Sequence, residues 1–214
     1  MKLYMIRHGE TDWNRRNCFQ GRVDVPLNDN GRRLAQLTRE KMPVIAYDRV
    51  YCSPLNRARE TAQILLEGRY PLDQIRLDQR IIEMDFGCYE GSDITKAGKD
   101  PQHPLYNMLW HPELYTPGDK AESFQQLVDR SSGFLQDEIV PLEKECQNIL
   151  LVAHGALIRS LVVAAGKKAI KDFWGVKYLN CCQTVLDITD GEITLEREAE
   201  IFYDPSECEP GWVK

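Results

Sequence analysis

Two short runs of this chain, Leu3-Tyr4-Met5-Ile6 and Ile149-Leu150-Leu151-Val152-Ala153, are apolar at every position. A strand with one wet face alternates, whereas a continuous apolar run of this length reads as a strand covered on both faces. Both runs end in a histidine followed by a glycine, His8-Gly9 and His154-Gly155, and the first delivers Arg7 as well. An arginine at the edge of a core is costly unless an anion meets it.

The rest of the chain alternates strand and helix signals. Residues 2–7, 48–53, 76–82 and 148–154 are predicted strands, and 31–42, 54–66, 122–145 and 155–165 predicted helices. Ser53 is expected to cap the helix that opens with Pro54 in its first turn. Residues 12–30 read as a loop. The runs 184–189 and 192–197, joined by Asp190-Gly191, read as a hairpin. This pattern predicts an α/β fold, a three-layer α/β/α sandwich around a mostly parallel sheet. In such sheets ligands bind at the carboxyl ends of strands, where both His-Gly pairs fall. One domain over 1–214 suits the length. Its longest stretch without periodicity, 85–121, is expected to be an insert or lid over the site.

The net charge of −6 argues against nucleic acid or an anionic membrane as partner, and no run of about 20 apolar residues is present. A small anionic substrate stays compatible, because paired arginines act within a Debye length of about 8 Å. With no signal peptide, the seven cysteines read as reduced thiols of a cytoplasmic protein. No CxxC spacing calls for a structural zinc. His103 and His111, eight residues apart, fit ordinary packing of an aromatic-rich loop better than a metal site.

Four segments carry chemistry: "RHGETDWN" from Arg7, "SPLNRARETA" from Ser53, "EMDFGCYEG" from Glu83 and "VAHGALIR" from Val152. In this order they resemble the histidine phosphatase superfamily, the phosphoglycerate-mutase-like group, from residue 3 to about 190. The resemblance implies a phosphoglycerate mutase-like fold. It makes His8 the nucleophile that becomes a phosphohistidine, Arg7 and Arg57 the grip on the phosphoryl oxygens, and His154 a further donor. Asn14 is then a neutral phosphate contact, Gln20 and Gly21 complete the phosphate- and substrate-binding set, and Glu83 is the proton donor. Glu10 and Glu90 are expected to orient arginines. Neither a metal nor a cofactor is implied.

Glycolytic mutases of the group carry an ERxYGxLxG-like run where this chain has "EMDFGCYEG". The resemblance therefore implies the phosphatase branch: a metal-independent phosphomonoesterase acting on a small phosphorylated metabolite, as a monomer or homodimer. The alternatives are a 2,3-bisphosphoglycerate-dependent phosphoglycerate mutase and, further off, a non-catalytic phosphate-binding regulator. The chain departs from the pattern at "PGDKAES", where many members carry a compact "PGGES", so the turn before Glu122-Ser123 is longer.

Overall fold

The computed structural model describes residues 1–207; residues 208–214, with Cys208, lie outside the described residues. Six strands form one sheet: β1 (Lys2–Arg7), β2 (Arg49–Cys52), β3 (Arg76–Leu77), β4 (Asn148–Ala153), β5 (Gln183–Thr189) and β6 (Glu192–Glu200). Their order is β3-β2-β4-β1-β5-β6. The first four run parallel, and the β5–β6 hairpin joins β1 antiparallel. The two central strands are the apolar runs seen in the sequence, Leu3 opposite Ile149 and Ile6 opposite Val152.

Strand geometry sends successive side chains to opposite faces. Leu3, Met5, Ile149 and Leu151 meet α6 (Phe124–Phe134) and α7 (Gly155–Ala164) on one side. Tyr4, Ile6, Leu150 and Val152 meet α3 (Asn56–Leu66) on the other. Helix α2 (Asp29–Lys41) lies beside α3. The result is the expected α/β architecture of helices on both faces of a mixed sheet. Asp190 and Gly191 turn the hairpin at positive φ, 52° and 77°, as a tight turn of this type requires.

Several local expectations are corrected. Within 12–30, Thr11 caps the short helix α1 (Asp12–Arg15) in a capping box with Asn14. Asn28 caps α2 through the Gly31 amide, so that helix starts at Asp29. Ser53 does not cap α3. The helix opens at Asn56, whose amide donates to Asp24 Oδ1 at 2.8 Å, so the missing cap comes from another loop. The 76–82 strand stops at Leu77, because the Asp78 carboxylate accepts the Arg80 amide and starts a 3-10 turn. The helix expected over 122–145 is α-helical only to Phe134, then passes through a π-helical turn (Leu135–Ile139) and a 3-10 turn containing Pro141.

The 85–121 stretch carries α4 (Ile94–Lys99) and α5 (Tyr106–Trp110). Its Phe86, Ala97, Leu105, Met108 and Leu109 are buried in the core on the α6–α7 side. No helix among the described residues is long and apolar enough to cross a membrane.

Candidate active site

A cavity of about 310 Å³ opens at the carboxyl ends of β1 and β4. Arg7, His8, Asn14, Gln20 and Glu83 line it together. Arg57 and His154 do not line it; both are fully buried, with the His154 ring centroid 5.2 Å from that of His8. Gly21 is also set back, and its carbonyl accepts from Arg57 Nη2 at 2.6 Å.

The local bonds at His8 select its tautomer. Its Nδ1 lies 2.7 Å from the carbonyl oxygen of Gly9, which can only accept. Nδ1 therefore carries the proton, and the neutral ring keeps its free lone pair on Nε2. Burial, then the cations of Arg57 and Arg7, holds the imidazole well below the usual histidine range. The same causes, burial first and then Arg57, act on His154. Burial lowers Arg57 to about 10, so it stays cationic at neutral pH.

Arg57 is set by long-range contacts. Its Nη1 and Nη2 donate to the carbonyls of Val23 and Gly21. That loop is itself gripped by Glu90, which accepts the amides of Arg22 and Val23 at 2.6 and 2.7 Å. Glu90 thus orients an arginine indirectly, through the loop. Glu10 instead accepts from Asn28 at the start of α2. Asn14 Oδ1 accepts from the Thr11 amide and from Asn180 Nδ2, and Thr11 Oγ1 donates to Gln20 Oε1. Ser53, unused as a cap, sits 2.6 Å from His154 Nε2.

Four buried nitrogens of this set have no hydrogen-bond partner within the protein: Arg7 Nε, Arg57 Nε, Gln20 Nε2 and His154 Nδ1. Buried polar groups are nearly always paired, and an unpaired one costs about 1–3 kcal/mol. Of the four residues, Arg7 and Gln20 line the cavity, and donors there beside two guanidinium cations are chemically suited to an anion. No group of three or more His, Cys, Asp or Glu among the described residues is arranged to hold a metal ion.

Glu83 lines the same cavity and is 6% exposed. Its Oε1 accepts the amides of Met84 and Leu157 at 2.9 and 3.0 Å, and Oε2 that of Ala156 at 3.1 Å. The nearby carboxylates do other work. Asp85 pairs with Arg22 and caps Gly87, while Asp93 caps α4. His103 Nδ1 accepts the Leu105 amide and His111 is exposed near Glu113; neither lines the cavity.

Sequence reasoning missed residues 174–180. Trp174, Val176, Lys177, Tyr178 and Asn180 form one wall of the cavity. The Tyr178 carbonyl accepts from Arg7 Nη1 at 2.5 Å, and Asn180 Nδ2 donates to the His8 carbonyl at 3.1 Å. Arg159, also on the wall, stacks on Tyr178 with its guanidinium carbon 4.1 Å from the ring centroid. The available signal was "DFWGVKYLN", an aperiodic run dense in aromatic and polar residues.

The sequence model of the histidine phosphatase superfamily (branch 1) matches residues 3–200. The chain belongs to this superfamily. Among its relatives, the adenosylcobalamin/alpha-ribazole phosphatase of Salmonella typhimurium is 29% identical over 199 residues, spanning 92% of this chain and 95% of that one. A 2,3-bisphosphoglycerate-dependent phosphoglycerate mutase of Parvibaculum lavamentivorans is 28% identical over 211 residues, 92% of this chain and 98% of that one. The solved structure of Bacillus stearothermophilus YhfR has a TM-score of 0.80 at 26% identity, over 94% of this chain and 97% of that one. This histidine phosphatase homologue is therefore an enzyme of the superfamily, a phosphatase or a mutase.

Proposed function

We propose that this enzyme is a metal-independent phosphomonoesterase that hydrolyses a small phosphorylated metabolite through a phosphohistidine at His8. The observation that carries the reading is His8 on the wall of the cavity, its Nδ1 committed to the Gly9 carbonyl and its Nε2 left as the nucleophilic nitrogen, with Arg7 and Gln20 on the same wall each holding an unmatched buried nitrogen. Nε2 attacks phosphorus as the bond to the alcohol oxygen breaks. Arg7, Arg57, Asn14, Gln20 and His154 stabilise charge on the non-bridging oxygens, with Gly21 holding Arg57. Glu83 gives its proton to the departing alkoxide. It then takes a proton from the water that attacks the phosphohistidine, which releases phosphate and restores His8.

One observation favours hydrolysis over transfer. The segment after Glu83 has the FGxxEG form, Phe86-Gly87 to Glu90-Gly91. Phe86, Ile94, Met108 and Leu109 of the 85–121 segment line the same cavity as His8. We assign that segment to the leaving-group end, as the lid of a single catalytic domain. Cys18, Cys52, Cys88 and Cys146 are free thiols, in keeping with a cytoplasmic setting.

The test is a quenched reaction with 32P-labelled substrate, together with turnover on a panel of phosphorylated metabolites. An acid-labile, alkali-stable phosphoprotein that disappears in His8→Ala is expected, with phosphate released. Label on a serine or cysteine would refute the mechanism. The mutase relative makes transfer the second reading. Turnover of phosphoglycerate that needs 2,3-bisphosphoglycerate, with negligible hydrolysis, would establish it.

A further inference from the structure

Arg130 lies mid-helix in α6, outside the cavity and outside the four motifs. Its side chain is 17% exposed and all five of its N–H groups are used. Nη1 donates to the carbonyls of Arg80 and Ile82, each at 2.7 Å, and Nη2 to that of Glu83 at 3.1 Å. Nε and Nη2 meet the two carboxylate oxygens of Glu122 at 2.6 and 2.9 Å. A guanidinium has five donors in a rigid fork, so nothing is left over for a substrate.

Glu122 has a second task. Its amide donates to the Asp85 carbonyl at 2.8 Å, and its Oε2 accepts the Asp85 amide at 3.3 Å. These contacts tie together the two ends of the 85–121 segment. The added residues of "PGDKAES" precede its Glu122 and leave this tie intact.

We propose that Arg130 and Glu122 form a clasp that positions Glu83 for proton transfer and closes the base of the 85–121 segment. Arg130 holds the backbone that delivers Glu83, while the Met84, Ala156 and Leu157 amides hold the carboxylate. Backbone and head group of the acid are thus fixed from two directions, one by α6 and the other by the start of α7. Arg130 is a positioning residue, and the proposal rests on the assignment of Glu83 as the acid.

The test compares phosphorylation of His8 by an alkyl phosphate and by p-nitrophenyl phosphate in single-turnover experiments. Burst amplitude counts active sites, so misfolded protein does not enter the rate constant. An alkoxide needs a proton to leave and nitrophenolate does not, so loss of the acid should slow only the first substrate, by about 10²–10⁴-fold in Glu83→Gln. Arg130→Lys keeps the charge but cannot span Glu122 and three carbonyls. It should slow the alkyl reaction about 10–100-fold, the scale of a misplaced catalytic group, and the aryl reaction less than about threefold. Glu122→Gln, a milder change, should show the same pattern more weakly and serves if Arg130→Lys does not fold. In the Glu83→Gln background, Arg130→Lys should add no further loss, because it acts through the residue already removed.

Equal losses for both substrates, or full additivity with Glu83→Gln, would reduce Arg130 to a structural role and overturn the clasp. If Glu83→Gln itself shows no leaving-group dependence, the acid assignment falls and the clasp falls with it. Selectivity lost in Glu83→Gln but kept in Arg130→Lys would overturn the clasp alone.

Discussion

Lowering the pH should destabilise this fold through two residues, and His8→Gln isolates one of them. His8 and His154 are buried beside Arg57 and Arg7, and both are held well below the free histidine value of 6.5. The unfolded chain takes up a proton at each near pH 6.5, and the native protein does not. Stability from each neutral imidazole is therefore present in full above about pH 7.5 and is lost as pH falls through 6.5 toward the folded-state value. Uptake by the unfolded chain alone between about pH 7.5 and 5.5 sets the scale of the loss, on the order of 1 kcal/mol per histidine. Stopping at pH 5.5 keeps ordinary carboxylates mostly ionised in both states. His8→Gln removes one site, so its loss over the same interval should be smaller than that of the parent by on the order of 1 kcal/mol. Urea unfolding of both proteins at the two pH values, in phosphate-free buffer, measures the difference, and titrations common to both cancel. Equal pH dependence would mean that His8 takes up a proton within the fold, and the argument from burial and paired arginines would be wrong.

Two further outcomes test the site and its frame. Turnover should persist in excess EDTA and be inhibited by vanadate, which adopts the five-coordinate geometry of the transferring phosphoryl group; activity lost to EDTA and restored by magnesium would refute metal independence. Gly31→Ala should destabilise by about 1–3 kcal/mol in urea unfolding although alanine is the better helix former, because its Cβ would stand 2.1 Å from the Glu10 carbonyl oxygen, and a gain in stability would contradict that contact.

Much of the architecture was legible in the sequence because its causes are local. Leu3–Ile6 and Ile149–Ala153 are apolar on both faces, and only the centre of a covered sheet accommodates that. Asp190-Gly191 favours the backbone turn that it makes. The nucleophile candidate, the two arginines and the second histidine stood in motifs whose spacing is carried by single strands and strand-to-helix turns.

Tertiary structure decided what depends on residues far apart in the chain. Ser53 has the chemistry of a cap, yet it meets His154, 101 residues away, while Asp24 reaches in to serve Asn56. Arg7 finds the Tyr178 carbonyl across 171 residues, which turns an unremarked run into a wall of the cavity. No period or turn signal encodes such pairings. Side chains of Ser, Asp and Arg satisfy whichever backbone or ring nitrogen the packed sheet and helices bring within about 3 Å. The sequence by itself therefore singled out the candidate site residues, since residue type and motif order require no partner. The tertiary structure decided how they are held, among them Glu83 on the Arg130–Glu122 pair, because five hydrogen bonds to one guanidinium exist only once α6 has docked against the segment before it.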